Sequence, residues 1–358
     1  MRVAIIGAGP AGLAAAHALG SSAEVTVFDK SRGVFGRAAT RWRDVPAADG
    51  STARWRYDHG AQYVSPEPDS PSARLIQDVA GDAVVEIEGA IWPFDNSGTL
   101  RPDEARDGGL RWTTADGINE IGRRLAASVS DLRRQTRIAR LSRQRDAWGV
   151  ETDDGARIDG FDAILLTAPA PQSADLLRAS HLDAPLAPAV APLADALAAT
   201  AYRSQFTVVW GMDHEIERPA DVYALVNAVG KGGGGGHPVA WLAVESDKPG
   251  RSPEGTSILL AQMADAWTEA HFDRDRDAVV AAAAEAVADV WGPLPEPLWT
   301  DTQRWRYSLP DGTPDADAVA AAEDMGLFVA GDLTAGKGRV HLALEEGLAV
   351  ADRIRQQA

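Results

Sequence analysis

The sequence predicts an α/β fold, with a Rossmann-type dinucleotide-binding domain assembled discontinuously and an α+β second domain carrying a mixed or antiparallel sheet. Three observations predict it. The first thirty residues read strand, glycine turn, helix, strand and acid in that order. An apolar strand with a Gly-Asp pair and a further helix recurs at the far end of the chain. Strand-like runs at 205–210, 239–244 and 257–263 lie between them. At 358 residues, 45% hydrophobic and 24% charged, the chain has material for two cores.

Residues 2–6 form a short apolar strand, followed at once by Gly7-Ala8-Gly9-Pro10-Ala11-Gly12 and a helical stretch over 11–19 closed by Gly20. Gly7 permits the tight turn, Gly9 lets a pyrophosphate approach the backbone, and Gly12 lets the helix lie close on the strand. A second strand over 24–28 ends in Asp29, about 20 positions beyond the glycines, where a carboxylate accepts from ribose hydroxyls. Further on, 148–152, the turn Asp153-Asp154-Gly155 and 156–158 read as a hairpin. A buried strand over 163–167 is stopped by Pro169 and Pro171. The tract Lys231-Gly232-Gly233-Gly234-Gly235-Gly236-His237 has nothing to form a core and reads as a mobile hairpin loop. No repeat of fixed period is evident.

Composition excludes several classes. With no cysteine there are no disulfides, zinc ribbons, iron–sulfur clusters, thiol redox chemistry or thioether-tethered cofactors, and no metal site is expected. Lys plus Arg number 35 against 52 Asp plus Glu, a net charge of −17. Such a surface repels phosphate backbones and anionic lipid, so nucleic acid is not an expected partner. Lysine occurs only at Lys30, Lys231, Lys248 and Lys337, while Arg and Asp are abundant. This bias resembles that of salt-loving archaeal proteins, in which salt screens carboxylate repulsion. Arg2 before the apolar run 3–19 resembles a short signal peptide, but its three glycines and a proline argue otherwise. No stretch reaches the ~18 uninterrupted apolar residues of a membrane span. A soluble, cytoplasmic protein is expected.

After Asp29 the chain reads Lys30-Ser31-Arg32-Gly33-Val34-Phe35-Gly36-Arg37, and later Tyr57-Asp58-His59-Gly60-Ala61-Gln62-Tyr63. Near the C-terminus come Gly326-Leu327-Phe328-Val329-Ala330-Gly331-Asp332 and Gly336-Lys337-Gly338-Arg339-Val340-His341. These segments resemble the FAD-dependent amine oxidase superfamily, and Lys-Ser-Arg-Gly with Gly-Ala-Gln-Tyr resembles its renalase branch. The resemblance implies non-covalent FAD held by Gly7, Gly9, Pro10, Ala11, Gly12, Asp29, Lys30, Arg32, Gly36, Arg37, Ala61, Gln62, Ile138, Gly331, Asp332, Gly338, Arg339 and Val340, with Ile138 near adenine. It implies an FAD-binding domain from 1–65, 105–170 and 295–358, and a substrate domain from 66–104 and 171–294. A helix N-terminus beside the flavin pyrimidine would stabilise the anionic reduced ring.

A flavin oxidises by accepting hydride at N5 from a carbon held about 3–3.5 Å away, and few side chains are strictly required. A dihydropyridine donor aromatises and loses no proton in that step; an amine donor must arrive unprotonated. The renalase family oxidises 2- or 6-dihydro isomers of NAD(P)H to NAD(P)+ and passes the electrons to O2, giving hydrogen peroxide. The expected partners are therefore a small-molecule substrate, a dihydronicotinamide dinucleotide in this reading, and O2; the oligomeric state is not readable. No second glycine fingerprint, as in two-nucleotide reductases, occurs in mid-chain.

The candidate pocket residues are Gln62, Tyr63 and His341. Each has a plainer reading: Gln62 as an amide holding a strand end, Tyr63 as a core aromatic, His341 as helix-terminus packing. His59 reads as a solvated or packing imidazole, and the aromatics of Trp305-Arg306-Tyr307 could line the cavity. Lys248-Pro249-Gly250-Arg251 reads as a solvated turn, or as a contact for substrate phosphate. Gln262-Met263 stands where the bacterial renalases place a histidine, which bears on substrate and not on FAD. Three functions stay open: a renalase-type oxidase, another amine-oxidase-like flavoenzyme or desaturase, and a non-catalytic FAD-binding protein.

The charge reading yields a test. Thermal unfolding in a potassium chloride series should move to higher temperature between low and multimolar salt, and equal stability across the series removes the salt-adapted reading.

Overall fold

The computed structural model describes residues 1–46, 50–102, 109–144, 146–219, 221–228 and 236–357. Arg2–Ile6 is the centre of a parallel five-stranded sheet because Val3, Ala4 and Ile5 are apolar on both faces and can be covered from either side. Glu24–Phe28 and then Asp131–Arg133 lie on one flank, Ala163–Leu166 and then Leu327–Val329 on the other, every pair parallel. The last strand thus returns from the end of the chain to the edge of a sheet begun at its first residues.

Alternate residues of these strands serve different cores. Val3, Ile5, Val27, Leu165 and Phe328 pack with the helices Pro10–Leu19 and Val340–Gln356. Ala4, Ile164, Leu166 and Val329 pack with the helices Ala170–Ala179 and Ala187–Ala199 and with Trp148, on a three-stranded sheet formed by Ile138–Gln144, Ala147–Thr152 and Arg157–Phe161. The hairpin expected around Asp153 is two strands of that sheet.

The second sheet has six strands in the order Trp299–Asp311, Ala201–Met212, Ser257–Met263, Val239–Val244, Val222–Asn227 and Ala90–Phe94. It is antiparallel except for the last pair. The helix Arg276–Trp291 covers one face. The hairpin Thr40–Pro46 and Thr52–Asp58 covers the other, with Trp55 edge-on to Trp299 at 5.5 Å. The polyglycine tract at 231–235 lies outside the described residues, between two strands that pair antiparallel.

The expected partition into 1–65, 105–170 and 295–358 against 66–104 and 171–294 needs three corrections. Trp299–Asp311 belongs to the second sheet, in register from Gly211↔Trp299 to Ala201↔Asp311. It is an edge strand, half-exposed along most of its length, so its apolar alternation is weak in sequence. Pro71–Ala80 joins the nucleotide-domain core through Leu75, Ile76 and Ala80, and the helices over 170–199 join its other face.

The two terminal helices touch at backbone distance. A Cβ on Gly347 would stand 2.2 Å from the carbonyl oxygen of Ala11. Gly347→Ala is therefore expected to cost about 1–3 kcal/mol by overpacking. Gly33→Ala meets nothing within 4 Å and should stay within about 0.5 kcal/mol of the parent in a denaturant titration.

Candidate cofactor and substrate site

The glycine turn is built as a cradle. Gly7 has φ +119° and its N–H donates to Phe28 O at 2.8 Å, which pins the turn to the neighbouring strand. A Cβ on Gly12 would lie 2.0 Å from Gly7 O, so the helix can approach the strand only because Gly12 has none. A Cβ on Gly9 would meet nothing within 4 Å. Gly9 caps the helix without a side chain and Pro10 opens it, so the first-turn amides face that open space unsatisfied by the chain. Open space before uncapped amides suits a pyrophosphate, and the residues present fit a dinucleotide.

Asp29 stands at the end of the second strand, where its Oδ2 accepts from Ala8 N at 2.7 Å and its Oδ1 from Ser31 N at 2.6 Å. It locks the turn, and each oxygen keeps capacity for a hydroxyl donor. Lys30 reaches Gln172 Oε1 at 2.9 Å, and burial together with Arg137 lowers its ammonium from the ordinary lysine value. Arg32 is exposed, its carbonyl accepting from Arg134. Ile138 is buried in the core with Phe28 and Ala4, beside this corner of the sheet.

The following segment folds back over the cradle. Phe35 adopts φ +75° and its N–H donates to Ala8 O at 2.7 Å, while its ring lies where a side chain on Gly122 would otherwise sit. A Cβ on Gly36 would be 3.5 Å from Gly9 Cα. Arg37 then reaches across the molecule. Its Nη1 donates to Tyr307 O at 3.3 Å and Ser308 O at 2.9 Å, and its Nη2 to Asp332 Oδ1 at 2.7 Å. The Arg37 carbonyl accepts from Ala61 N at 3.0 Å, and a Cβ on Gly60 would collide with it at 1.9 Å. Gly331, with φ +147°, faces Ala11. Gly338 presses on Leu309, Arg339 is the exposed N-cap of the last helix, and Val340 is buried behind it. Gly36 on Gly9, Gly331 on Ala11 and Arg37 on Asp332 thus bring segments from both chain ends together.

The pocket candidates separate. Gln62 commits its amide, with Nε2 donating to Asp58 O at 2.5 Å and Gly60 O at 3.2 Å and Oε1 accepting from Lys248 Nζ at 3.5 Å. The plainer reading, an amide that holds the strand end, accounts for both ends of it. Tyr63 packs toward Trp241 at 6.0 Å, in the cluster of Ile87, Ile91 and Tyr223. His341 is half-buried in the first turn of the last helix, and burial lowers its pKa from the ordinary value. His59 is a packed residue, stacked on Trp305 at 5.4 Å and 18°, and burial with Arg41 nearby pushes it down to about 4. Trp305 Nε1 and Thr207 Oγ1 both donate to the His59 carbonyl at 2.9 Å. Gln262 donates to Gly60 O at 2.6 Å, so it faces the same loop.

The turn Lys248-Pro249-Gly250-Arg251 is not solvated. Lys248 and Arg251 are fully buried with Asp58 and Glu245 in a charge-neutral quartet. Lys248 lies 2.6 Å from Glu245 and 3.1 Å from Asp58; Arg251 lies 3.0 Å from Glu245 and 2.7 Å from Asp58. Arg251 also donates to Thr114 O, Ala115 O and Thr113 Oγ1. Burial opposes ionisation of Asp58, but Arg251 and Lys248, with Thr40 and the Ile118 amide, hold it at about 2. Burial pushes Glu245 up. The quartet is hidden in the sequence because Asp58 lies far from its bases along the chain, and Glu245, three residues before Lys248, reads as one more charge of the same turn. Among the described residues no group of three or more His, Asp or Glu could hold a metal ion, and no helix is long and apolar enough to cross a membrane.

The family model described as flavin containing amine oxidoreductase matches residues 95–355, and one described as NAD(P)-binding Rossmann-like domain matches 5–79. A candidate protoporphyrinogen oxidase from Exiguobacterium sp. 255-15 superposes with TM-score 0.75 at 14% identity, over 100% of this chain and 99% of that one. A CLA-producing fatty acid isomerase from P. acnes gives 0.70 at 15%, over 98% of each chain. Wild-type putrescine oxidase bound to putrescine gives 0.70 at 15%, over 99% of each chain. At these identities the likeness is one of fold.

Asp58→Asn leaves Arg251 and Lys248 sharing one carboxylate and is expected to cost about 3–5 kcal/mol at neutral pH. Because the folded pKa of Asp58 is depressed, its contribution is complete above the ordinary value of 3.8 and is lost as pH falls toward about 2. The raised Glu245 acts with the opposite sign, favouring the neutral form. Urea titrations over that acid range should therefore show a flatter decline in the variant than in the parent.

Proposed function

This chain belongs to the flavin-containing amine oxidoreductase family, with non-covalently held FAD as its cofactor, and from that premise we propose that it is a renalase-type oxidase of 2- and 6-dihydro isomers of NAD(P)H. The overall reaction is NAD(P)H isomer plus O2 and a proton giving NAD(P)+ and H2O2. When bound, FAD supplies the hydride acceptor and the route of electrons to O2.

The observation that carries this reading is that the polar side chains His59, Gln62 and Gln262, gathered on one loop and the strand that contacts it, are uncharged at neutral pH. His59 stands at about 4 and is uncharged at neutral pH, Gln62 and Gln262 are carboxamides, and Trp305 closes one side. A dihydropyridine needs a positioned wall and no base, since aromatisation drives hydride loss. An ammonium substrate would first have to shed a proton, and these groups do not accept one at neutral pH.

In this reading Gly9 and the first-turn amides of Pro10–Leu19 take the pyrophosphate, Asp29 the adenosine ribose, and Arg37 with Asp332 fixes the segment beneath the ribityl chain. Val340 and His341 open the helix at the flavin side, where the lowered pKa of His341 keeps its imidazole neutral. The second reading, oxidation of an uncharged amine, draws on the edge-to-face pair Tyr202 and Tyr307 at 5.7 Å, an aromatic wall near Arg37.

Anaerobic stopped-flow mixing separates them. Bleaching near 450 nm with 2- or 6-dihydro-NAD(P)H but not with β-NADPH or amines is the expected outcome, and bleaching with amines alone overturns it. Arg37→Ala should lower FAD retention on gel filtration by more than tenfold, with Arg37→Lys intermediate because it keeps the charge and loses the fork.

A further inference from the structure

A cavity of about 270 Å³ lies between the second sheet and the helix Asp265–His271, lined by Tyr202, Ser204, Glu269, Phe272 and Arg306. It is one residue layer from the flavin-side motif. The Tyr202 hydroxyl accepts from Ala170 N at 3.3 Å, its ring lies under the Arg37 guanidinium at 5.8 Å, and Arg37 binds Asp332. On the other side, Gln205 is paired in register with Trp305, which stacks on His59.

The pairing between the two strands breaks at this point. Arg203 opposes Leu309 and Gln205 opposes Trp305, so the single residue Ser204 faces Arg306, Tyr307 and Ser308. A bulge of this kind re-aims side chains and is common beside active sites. Here it delivers Arg306 to the cavity wall, with its guanidinium over the Phe272 ring at 4.7 Å. Stacking on a ring face leaves the in-plane N–H donors unused, and among the described residues no carboxylate forms an ion pair with Arg306. The Ser204 Oγ is buried and makes no hydrogen bond. An unpaired guanidinium and an unpaired buried hydroxyl in one cavity are receptors for an oxyanion, while Glu269 on the same lining accepts from a hydroxyl or ammonium beside it.

We propose that this cavity is a substrate subsite that binds an oxyanion of the hydride donor, with Arg306 as the charged contact, Ser204 as the second donor and Glu269 receiving a neighbouring hydrogen-bond donor. The inference rests on the proposed oxidase reading for its source of oxyanion, a phosphate of a dinucleotide; an amino-acid carboxylate is the other source with the same chemistry. The hollow is open to solvent on one side, so it can hold one such group while the rest of a larger molecule lies outside it.

The test uses FAD-saturated protein, so that the cofactor cradle is filled, and titrates inorganic pyrophosphate and acetate calorimetrically into the parent, Arg306→Ala, Arg306→Lys and Ser204→Ala. Expected are binding by the parent, at least tenfold weakening in Arg306→Ala, and partial retention in Arg306→Lys and Ser204→Ala. Tighter pyrophosphate binding assigns the group to phosphate, and tighter acetate binding to carboxylate. No binding of either anion by the parent, or equal binding by Arg306→Ala, overturns the subsite. The stopped-flow result stands apart from this one: failure of every dihydropyridine to bleach the flavin removes the oxidase reading and leaves the anion titration to decide the subsite alone.

Discussion

The fold depends on one close approach, between the first helix of the chain and the last. Gly347 lets Val340–Gln356 come to backbone distance of Ala11, and Gly331, outside that helix, stands in ordinary contact with the Ala11 side chain. A bulkier residue at Gly347 would part the helices. Arg37 then fastens the two blocks from the opposite side, through two carbonyls of a second-sheet strand and the buried carboxylate of Asp332. One side chain therefore joins the segment after the glycine turn, the Gly331-Asp332 segment and the second sheet.

Beneath the loop His59–Gln62 the Asp58, Glu245, Lys248 and Arg251 quartet performs a comparable task at higher cost. Burying four charges is unfavourable by several kcal/mol per ion before pairing, and mutual attraction with further hydrogen bonds offsets that only in good geometry. Arg251 meets the condition, with both carboxylates and three backbone or hydroxyl acceptors around its fork. Its consequence is positional. Asp58 and Lys248 hold Gln62, Gln62 holds Gly60, and Gly60 O also receives Gln262, so the loop that presents His59 is fixed from below by charge and from the side by carboxamides.

What the sequence made legible was backbone constraint, and what it hid was long-range pairing. Gly7, Gly12 and Asp29 act within a few residues or one strand of each other, so their spacing carries the geometry. The closing motif at Gly331 and Asp332 is legible for the same reason. Trp299–Asp311 was misassigned because an edge strand with one wet face has little apolar alternation, and its membership is decided by pairing with Ala201–Met212, far away in the chain. Lys248 and Arg251 read as a solvated turn because a charged tetrapeptide, even with Glu245 close by in the chain, carries no sign of the distant Asp58 that completes its burial. The bulge at Ser204 is likewise a property of two strands and of neither alone.

The acidity of the chain and the anionic donor proposed above pull in opposite directions. At a net charge of −17 the mean field resists any approaching phosphate, and screening by salt weakens that field over distances beyond roughly 8–10 Å without abolishing it at the wall. Capture then has to be local. Many arginines of this chain are held by carboxylates, as Arg124 is by Glu120 and Asp82 and Arg353 by Glu323. Arg306 is stacked on an aromatic face instead and keeps its donors. An arginine that keeps its donors at the wall of the proposed subsite supplies attraction locally, which makes the sign of the overall charge compatible with the anionic substrate proposed above.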